Sequence, residues 1–175
     1  MKKFLIVFGI IALTGCDSSS QHTSDKSPIV KLEESKPNWA SGTNTDKMDG
    51  KITKYTYTDS KNLIDFEFPY NGGSQGTIVV FNSGGVKFMV NKGQLICNNW
   101  EGCQVRIKID NRPPKQYTFC ADGNYNSERI WMCNGSNTQF IKELAGASKV
   151  MVEPEFFQAG NKVYEFDVEG FVNPK

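Results

Sequence analysis

Three pairs of carboxylates are spaced for acid–base work. Asp65 and Glu67 lie two apart in LIDFEFPY, Glu153 and Glu155 flank Pro154, and Asp167 and Glu169 lie near the end. Residues two apart on a strand share a face. A glycosidase would need two such groups across a cleft, one of them with a raised pKa. Asp110 is a further candidate carboxylate. The competing reading is a solvated strand face that keeps a sheet soluble, and this reading is the expectation here. Ser60-Lys61 and Ser148-Lys149 are formal Ser-Lys dyads, but adjacent strand residues point to opposite faces. The sole histidine, His22, lies in a serine-rich stretch, so Ser-His and Cys-His nucleophile systems are not expected. No phosphate-cradling or nucleophile-elbow motif occurs. No catalytic residue, cofactor or metal is therefore expected.

Four cysteines fall late in the chain: Cys97, Cys103, Cys120 and Cys133. Their spacing lacks the paired CxxC ligands of a structural zinc site. An even number in an exported chain reads as disulfides, with three possible pairings. Cys97–Cys103 and Cys120–Cys133 are favoured because each pair falls at facing ends of neighbouring strands. A bridge closing CNNWEGC would stabilise by about 2 kcal/mol. WASGTNTDKMDGK carries Asp46 and Asp49 but lacks calcium-loop spacing, and is expected to turn at Asp49-Gly50.

Aromatic residues offer a different chemistry. Trp100 sits at the tip of CNNWEGC, Tyr125 in DGNYNS, and Tyr70 beside NGG. Aromatic tips flanked by Asn and Gly are the chemistry of binding loops. These three are the candidate binding residues, with Trp100 foremost because a small disulfide loop would hold it outward. Trp39 and Trp131 are expected in the core or on strands.

The elements that must position these residues are strands. KITKYTYT, LIDFEFPY, TIVVFN, VKFMVN, KGQLIC, CQVRIKID, KQYTFCA and RIWMC alternate or are rich in β-formers, with Gly, Asn and Pro turns between them. In KITKYTYT, Ile52, Tyr55 and Tyr57 form the apolar set, with a slip in phase. SNTQFIKELAGAS has Phe140, Ile141 and Leu144 at helical spacing, which predicts one short helix near 138–146 with Ser136 or Asn137 as N-cap and Gly146 as stop. KVMVEPEFF and VYEFDVEGFV return to strands. The expectation is a mainly β domain over 39–175: an antiparallel β-sandwich or flattened barrel of about nine to ten strands.

The chain opens MKKFLIVFGIIALTGC. Lys2 and Lys3 precede an apolar run of about ten residues, too short to cross a bilayer. Leu13, Thr14, Gly15 and Cys16 closely resemble the lipobox of bacterial lipoproteins. The resemblance implies a signal peptide over 1–15, lipid on Cys16, and stable anchoring of the mature chain to a membrane. Asp17 resembles the signal that retains enteric lipoproteins in the inner membrane. Residues 16–38 read as the lipidated cysteine and a flexible tether, rich in serine and poor in large apolar groups. Without the two leader lysines, the chain's 20 basic residues become 18 against 19 acidic ones. No basic patch stands out, so nucleic acid is not an expected partner. An oxidising periplasm suits the disulfides.

One wider resemblance spans most of the folded part. Trp39, Asp46, Met48, Gly50, Lys51 and Thr53 come first. Ser60, Asn62, Phe66, Phe68, Pro69, Tyr70, Gly72 and Gly73 follow, and then Gly93, Gln94, Cys97, Cys103, Val105 and Asp110. In this order they resemble a set of uncharacterised exported proteins and lipoproteins of bacteria and their prophages. That resemblance supports the pairing of Cys97 with Cys103 and implies no activity. The functional expectation is a membrane-anchored periplasmic lipoprotein that binds an envelope protein or ligand, as an accessory, inhibitor or exclusion factor. An envelope hydrolase using carboxylates and a structural envelope lipoprotein are the alternatives.

Overall fold

The computed structural model describes residues 38–175 apart from Asn99, Asn124 and Tyr125. The leader, Cys16, Asp17, His22 and most of the tether lie outside the described residues. The domain is mainly β with one helix, as the alternation requires. Nine strands form one antiparallel sheet: β1 (Ala40–Thr45), β2 (Ile52–Asp59), β5 (Gly76–Phe81), β6 (Val86–Val90), β7 (Cys103–Ile109), β8 (Lys115–Asp122), β9 (Asn126–Met132), β10 (Lys149–Glu153) and β13 (Tyr164–Asp167). Their order is β1-β2-β5-β6-β9-β8-β7-β10-β13. Two small hairpins complete the β structure, β3 (Ile64–Phe66) with β4 (Gly72–Ser74) and β11 (Glu155–Phe156) with β12 (Gly160–Asn161).

The sheet curls so that its inner face packs on itself. Phe88 of β6 meets Tyr164 and Phe166 of β13 with ring centroids 5.6 and 6.4 Å apart. The sheet is sandwich-like and does not close into a barrel, although β13 is laced to the chain that follows β2. Lys61 donates its backbone N–H to Glu165 O at 2.7 Å. The Asn62 amide donates to Val163 O and accepts from Glu165 N. Alternation sets the burial: Val105, Ile107 and Ile109 face the core while Gln104, Arg106 and Lys108 face outward.

In β2 the expected facing is reversed. Thr56 and Thr58 are buried, while Tyr55 and Tyr57 lie on the outer face. The inward hydroxyls are satisfied, Thr56 Oγ1 donating to Ala40 O at 2.9 Å. Outside, Tyr55 packs beside Phe81, which stacks on Trp131 at 5.2 Å, and Lys87 Nζ lies 4.1 Å from the Trp131 ring centroid.

Three further expectations need correction. ASGTNT, expected within a turn, is strand β1; a polar edge strand lacks an apolar stripe to reveal it. Its turn to β2 is built by Asp46 and Asp49, whose carboxylates accept Met48 N and Lys51 N. KGQLIC is not a strand of the sheet: Leu95 makes one isolated bridge to Phe156. The helix, α1 (Ser136–Leu144), starts earlier than expected, with Gly135 at the N-cap position and no side-chain cap. Gly146, just past the helix, has φ 87°.

The two ends of the sheet are plugged differently. At one end α1 inserts Phe140 and Leu144 into the core. Glu143 there accepts Lys115 Nζ at 2.8 Å and the Tyr117 hydroxyl at 3.0 Å. The Lys115 bond, above all, holds the Glu143 carboxyl below its ordinary range. Burial, then the bond to Glu143, pushes the Tyr117 hydroxyl up to about 12. At the other end Phe66 and Phe156, from the two small hairpins, meet edge to face at 4.9 Å.

Candidate functional site

The strand registers gather three connections at the hairpin-plugged end. There β2 pairs Asp59 with Thr77, β5 pairs Gly76 with Val90, β8 pairs Asp122 with Asn126, and β7 starts at Cys103 opposite Phe119. The described residues of the connections 60–75, 91–102 and 154–163 therefore crowd together. They are cross-tied: the Tyr70 hydroxyl donates to Phe157 O at 3.0 Å, Leu95 N to Ser127 O at 2.7 Å, and Lys92 Nζ to Asn71 O at 2.7 Å. Ser74, fully buried, donates to Lys92 O and shares a hydrogen bond with the Tyr164 hydroxyl.

Both expected disulfides are present. Cys97 and Cys103 have Cα atoms 4.8 Å apart, and Cys120 and Cys133 5.9 Å. The second bridge staples β8 to the residue after β9. The first closes CNNWEGC, and the loop is built beyond the bridge. Asn98 Oδ1 accepts the backbone N–H groups of Trp100, Glu101 and Gly102 at 3.1, 2.6 and 3.0 Å. Gly102, at φ 74°, packs so closely that a Cβ would lie 2.3 Å from Phe119 O. The product is a fixed loop with Trp100 at its tip, 96 % exposed.

Beside this loop lies a cleft of about 570 Å³. Its walls are 94–98, the start of β7, and Pro154, Glu155 and Phe157. It exists because β10 leaves β7. The two strands pair from Val150 opposite Ile109 to Glu153 opposite Arg106. Pro154 then has no N–H to continue the ladder. The chain crosses instead to 94–96, where Ile96 N donates to Glu155 O and Phe157 N to Gln94 O at 2.9 and 2.8 Å. Ile96 and Phe157 remain exposed on its rim. Phe68, in the Tyr70 turn, is 85 % exposed.

The other candidate residues have different surroundings. Tyr70 is half-buried, its ring 5.4 Å from Phe66. Its bond to Phe157 O makes it a brace between hairpins, and it lines a smaller hollow of about 340 Å³ with Asp65, Glu67 and Lys162. Tyr125 lies outside the described residues. Trp39 donates Nε1–H to Val168 O at 3.0 Å and packs on Phe171.

Asp65 and Glu67 line the same small hollow, while the other candidate carboxylates lie elsewhere. Asp65 is on β3, but Glu67 is in the turn, its carbonyl accepting Tyr70 N and Asn71 N. Glu153 is paired with Arg106, whose Nη2 donates to it at 2.9 Å, whereas Glu155 stands on the cleft wall. Asp167 sits 3.8 Å from Lys61 Nζ and accepts Glu169 N. Asp110 is a clamp: it accepts Lys149 N and Ser148 N at 2.9 and 3.0 Å, which holds its carboxyl below the usual range. Ser60 is spent on Asn62 O and Gly76 N. Among the described residues no cluster of three or more His, Cys, Asp or Glu is placed to hold a metal, and no helix is long and apolar enough to cross a membrane.

The spacing of CNNWEGC made Trp100 visible in the sequence. Ile96, Phe157 and Phe68 were missed, since each reads as an ordinary strand apolar residue and only tertiary placement exposes it. No family model, curated protein or solved structure matches the chain.

Proposed function

We infer that this protein is a membrane-anchored envelope lipoprotein that binds another envelope protein through its hairpin-plugged end. The anchor is the lipid on Cys16, with the inner membrane favoured by Asp17 and the domain facing the periplasm. The rigid presentation of Trp100 carries the reading. An indole buries roughly 150–250 Å² when covered, so at about 25 cal/mol per Å² a partner gains roughly 4–6 kcal/mol by covering it. Here the disulfide, three hydrogen bonds to Asn98 and the packing of Gly102 fix it outward instead. Prearranged aromatic anchors beside a pocket are what interface hot spots consist of. Binding, rather than hydrolysis, also suits Asp110, Glu153 and Asp167, which are engaged as clamps and ion pairs. An accessory, inhibitory or exclusion role fits such a module.

The test is affinity capture from envelope extract with the tagged, lipidated chain and its Trp100→Ala variant, read by quantitative mass spectrometry. One stoichiometric partner is expected, bound about 30-fold more weakly by the variant, the loss typical of a hot-spot residue. A partner retained equally by both proteins would remove the reading.

A further inference from the structure

The cleft beside Trp100 has a structural peculiarity that specifies its occupant. Along β7, Arg106 to Ile109 have β10 beside them, but Cys103, Gln104 and Val105 do not, because β10 ends at Glu153 and the chain turns aside at Pro154. On its other side this stretch is paired with β8, Cys103 opposite Phe119 through Val105 opposite Tyr117. One backbone edge of three residues therefore opens into the cleft. Cys97, bridged to Cys103 with Cα atoms 4.8 Å apart, bounds the opening at its Cys103 end.

We propose that this gap receives an extended segment of a partner protein as an added strand alongside Cys103–Val105, and that the segment carries Lys or Arg next to apolar residues. The inference rests on the binding role assigned above and names the partner's chemistry. Strand addition supplies main-chain hydrogen bonds at an open edge, while flanking pockets read alternate side chains. Three residues of added strand span about 10 Å. Ile96 and Phe157 on the rim, with the indole of Trp100 beyond, meet the apolar side chains. The sign of the charge follows from the walls. Among the described residues Glu155 is the only charged one lining the cleft, and Glu101 stands next to Trp100 at the tip. Neither has an ion-pair partner among the described residues, whereas the nearest cation on β7, Arg106, is held by Glu153. An anionic lipid surface is disfavoured by the same two carboxylates, and a bilayer has no backbone to offer the open edge.

A random heptapeptide library displayed on phage is panned against the full chain in detergent. The selected peptides are then synthesised with single N-methyl groups at each amide. The expected sequences alternate apolar and basic residues. Methylation weakens binding about tenfold at alternate positions and leaves the intervening ones unchanged, because only every second amide faces the edge. Glu155→Lys weakens binding about tenfold, with its thermal melt compared to that of the unmodified chain; the N-methyl series needs no change in the protein and stands by itself. Selected peptides indifferent to N-methylation would overturn the proposal. So would a library yielding no binder while affinity capture still returns a Trp100-dependent partner, an outcome that leaves the binding role standing. In vesicles of phosphatidylethanolamine and brominated phosphatidylglycerol, quenching of an emission that disappears in Trp100→Phe would place the indole in lipid and overturn it too.

Discussion

Asn98→Ala separates the presentation of Trp100 from its presence. The side-chain oxygen of Asn98 accepts three backbone N–H groups of the loop. All three lie at an exposed tip, so water replaces the lost acceptor and each bond contributes only about 0.5 kcal/mol, the low end for a hydrogen bond in a protein. The sum is about 1.5 kcal/mol. The disulfide still closes the loop, and the buried core is untouched. Unfolding should therefore shift by no more than about 5 °C for a domain of this size. Partner binding should fall about tenfold, because the partner must reorder a loosened loop. Circular dichroism melts report the first quantity and titration of the captured partner the second. Asn98→Asp keeps the acceptor and should behave like the native chain in both assays. Equal binding by Asn98→Ala and the native chain would refute the argument, as would Asn98→Asp binding as weakly as Asn98→Ala. A loss of stability above about 4 kcal/mol would also refute it, since it would mean the loop organises the core.

Other perturbations probe the remaining structure. Gly93→Ala would place a Cβ 2.8 Å from the Phe156 ring and 3.1 Å from Phe66, at φ 104°; chemical denaturation should show a loss of about 2–3 kcal/mol. Leu144→Ala removes a fully buried side chain from the helix plug and should cost about 2–5 kcal/mol by the same measurement. The Tyr117 hydroxyl, raised to about 12 when folded against an ordinary 10, keeps its proton longer in the fold. That contribution is whole below pH 10 and is lost as pH rises from 10 through 12. It amounts to about 1–2 kcal/mol after allowance for solvent near its tip, and Tyr117→Phe should flatten this limb of the stability–pH curve. Cys16→Ser should release the protein from the membrane fraction on cell fractionation, if the lipid on Cys16 is the anchor.

How much was legible in the sequence depended on what each segment buries. CQVRIKID and VKFMV are read correctly because one face is buried and alternation follows the core. In KITKYTYT the period was visible but not the facing. The threonines turn inward because their hydroxyls find backbone acceptors, and the tyrosines cover the outer face beside Phe81. ASGTNT carries no apolar signal, because an edge strand of small polar residues buries little. KGQLIC has strand composition, yet Pro154 diverts its neighbour and leaves it one bridge to Phe156. Both disulfide pairings are expected from facing ends of neighbouring strands and are present, although Cys97 itself lies outside the strands. The cleft could not be foreseen, since its walls come from three distant segments and its cause is a ladder that stops.

Site-specific photocrosslinking from the loop tip tests the central claim most directly. A benzophenone amino acid is placed at position 100 of the lipidated chain in living cells, and at position 112 near the opposite, helix-plugged end as control. The account predicts one discrete protein adduct from position 100 and none from position 112. Adducts to lipid alone from position 100, or equal protein adducts from both positions, would contradict it.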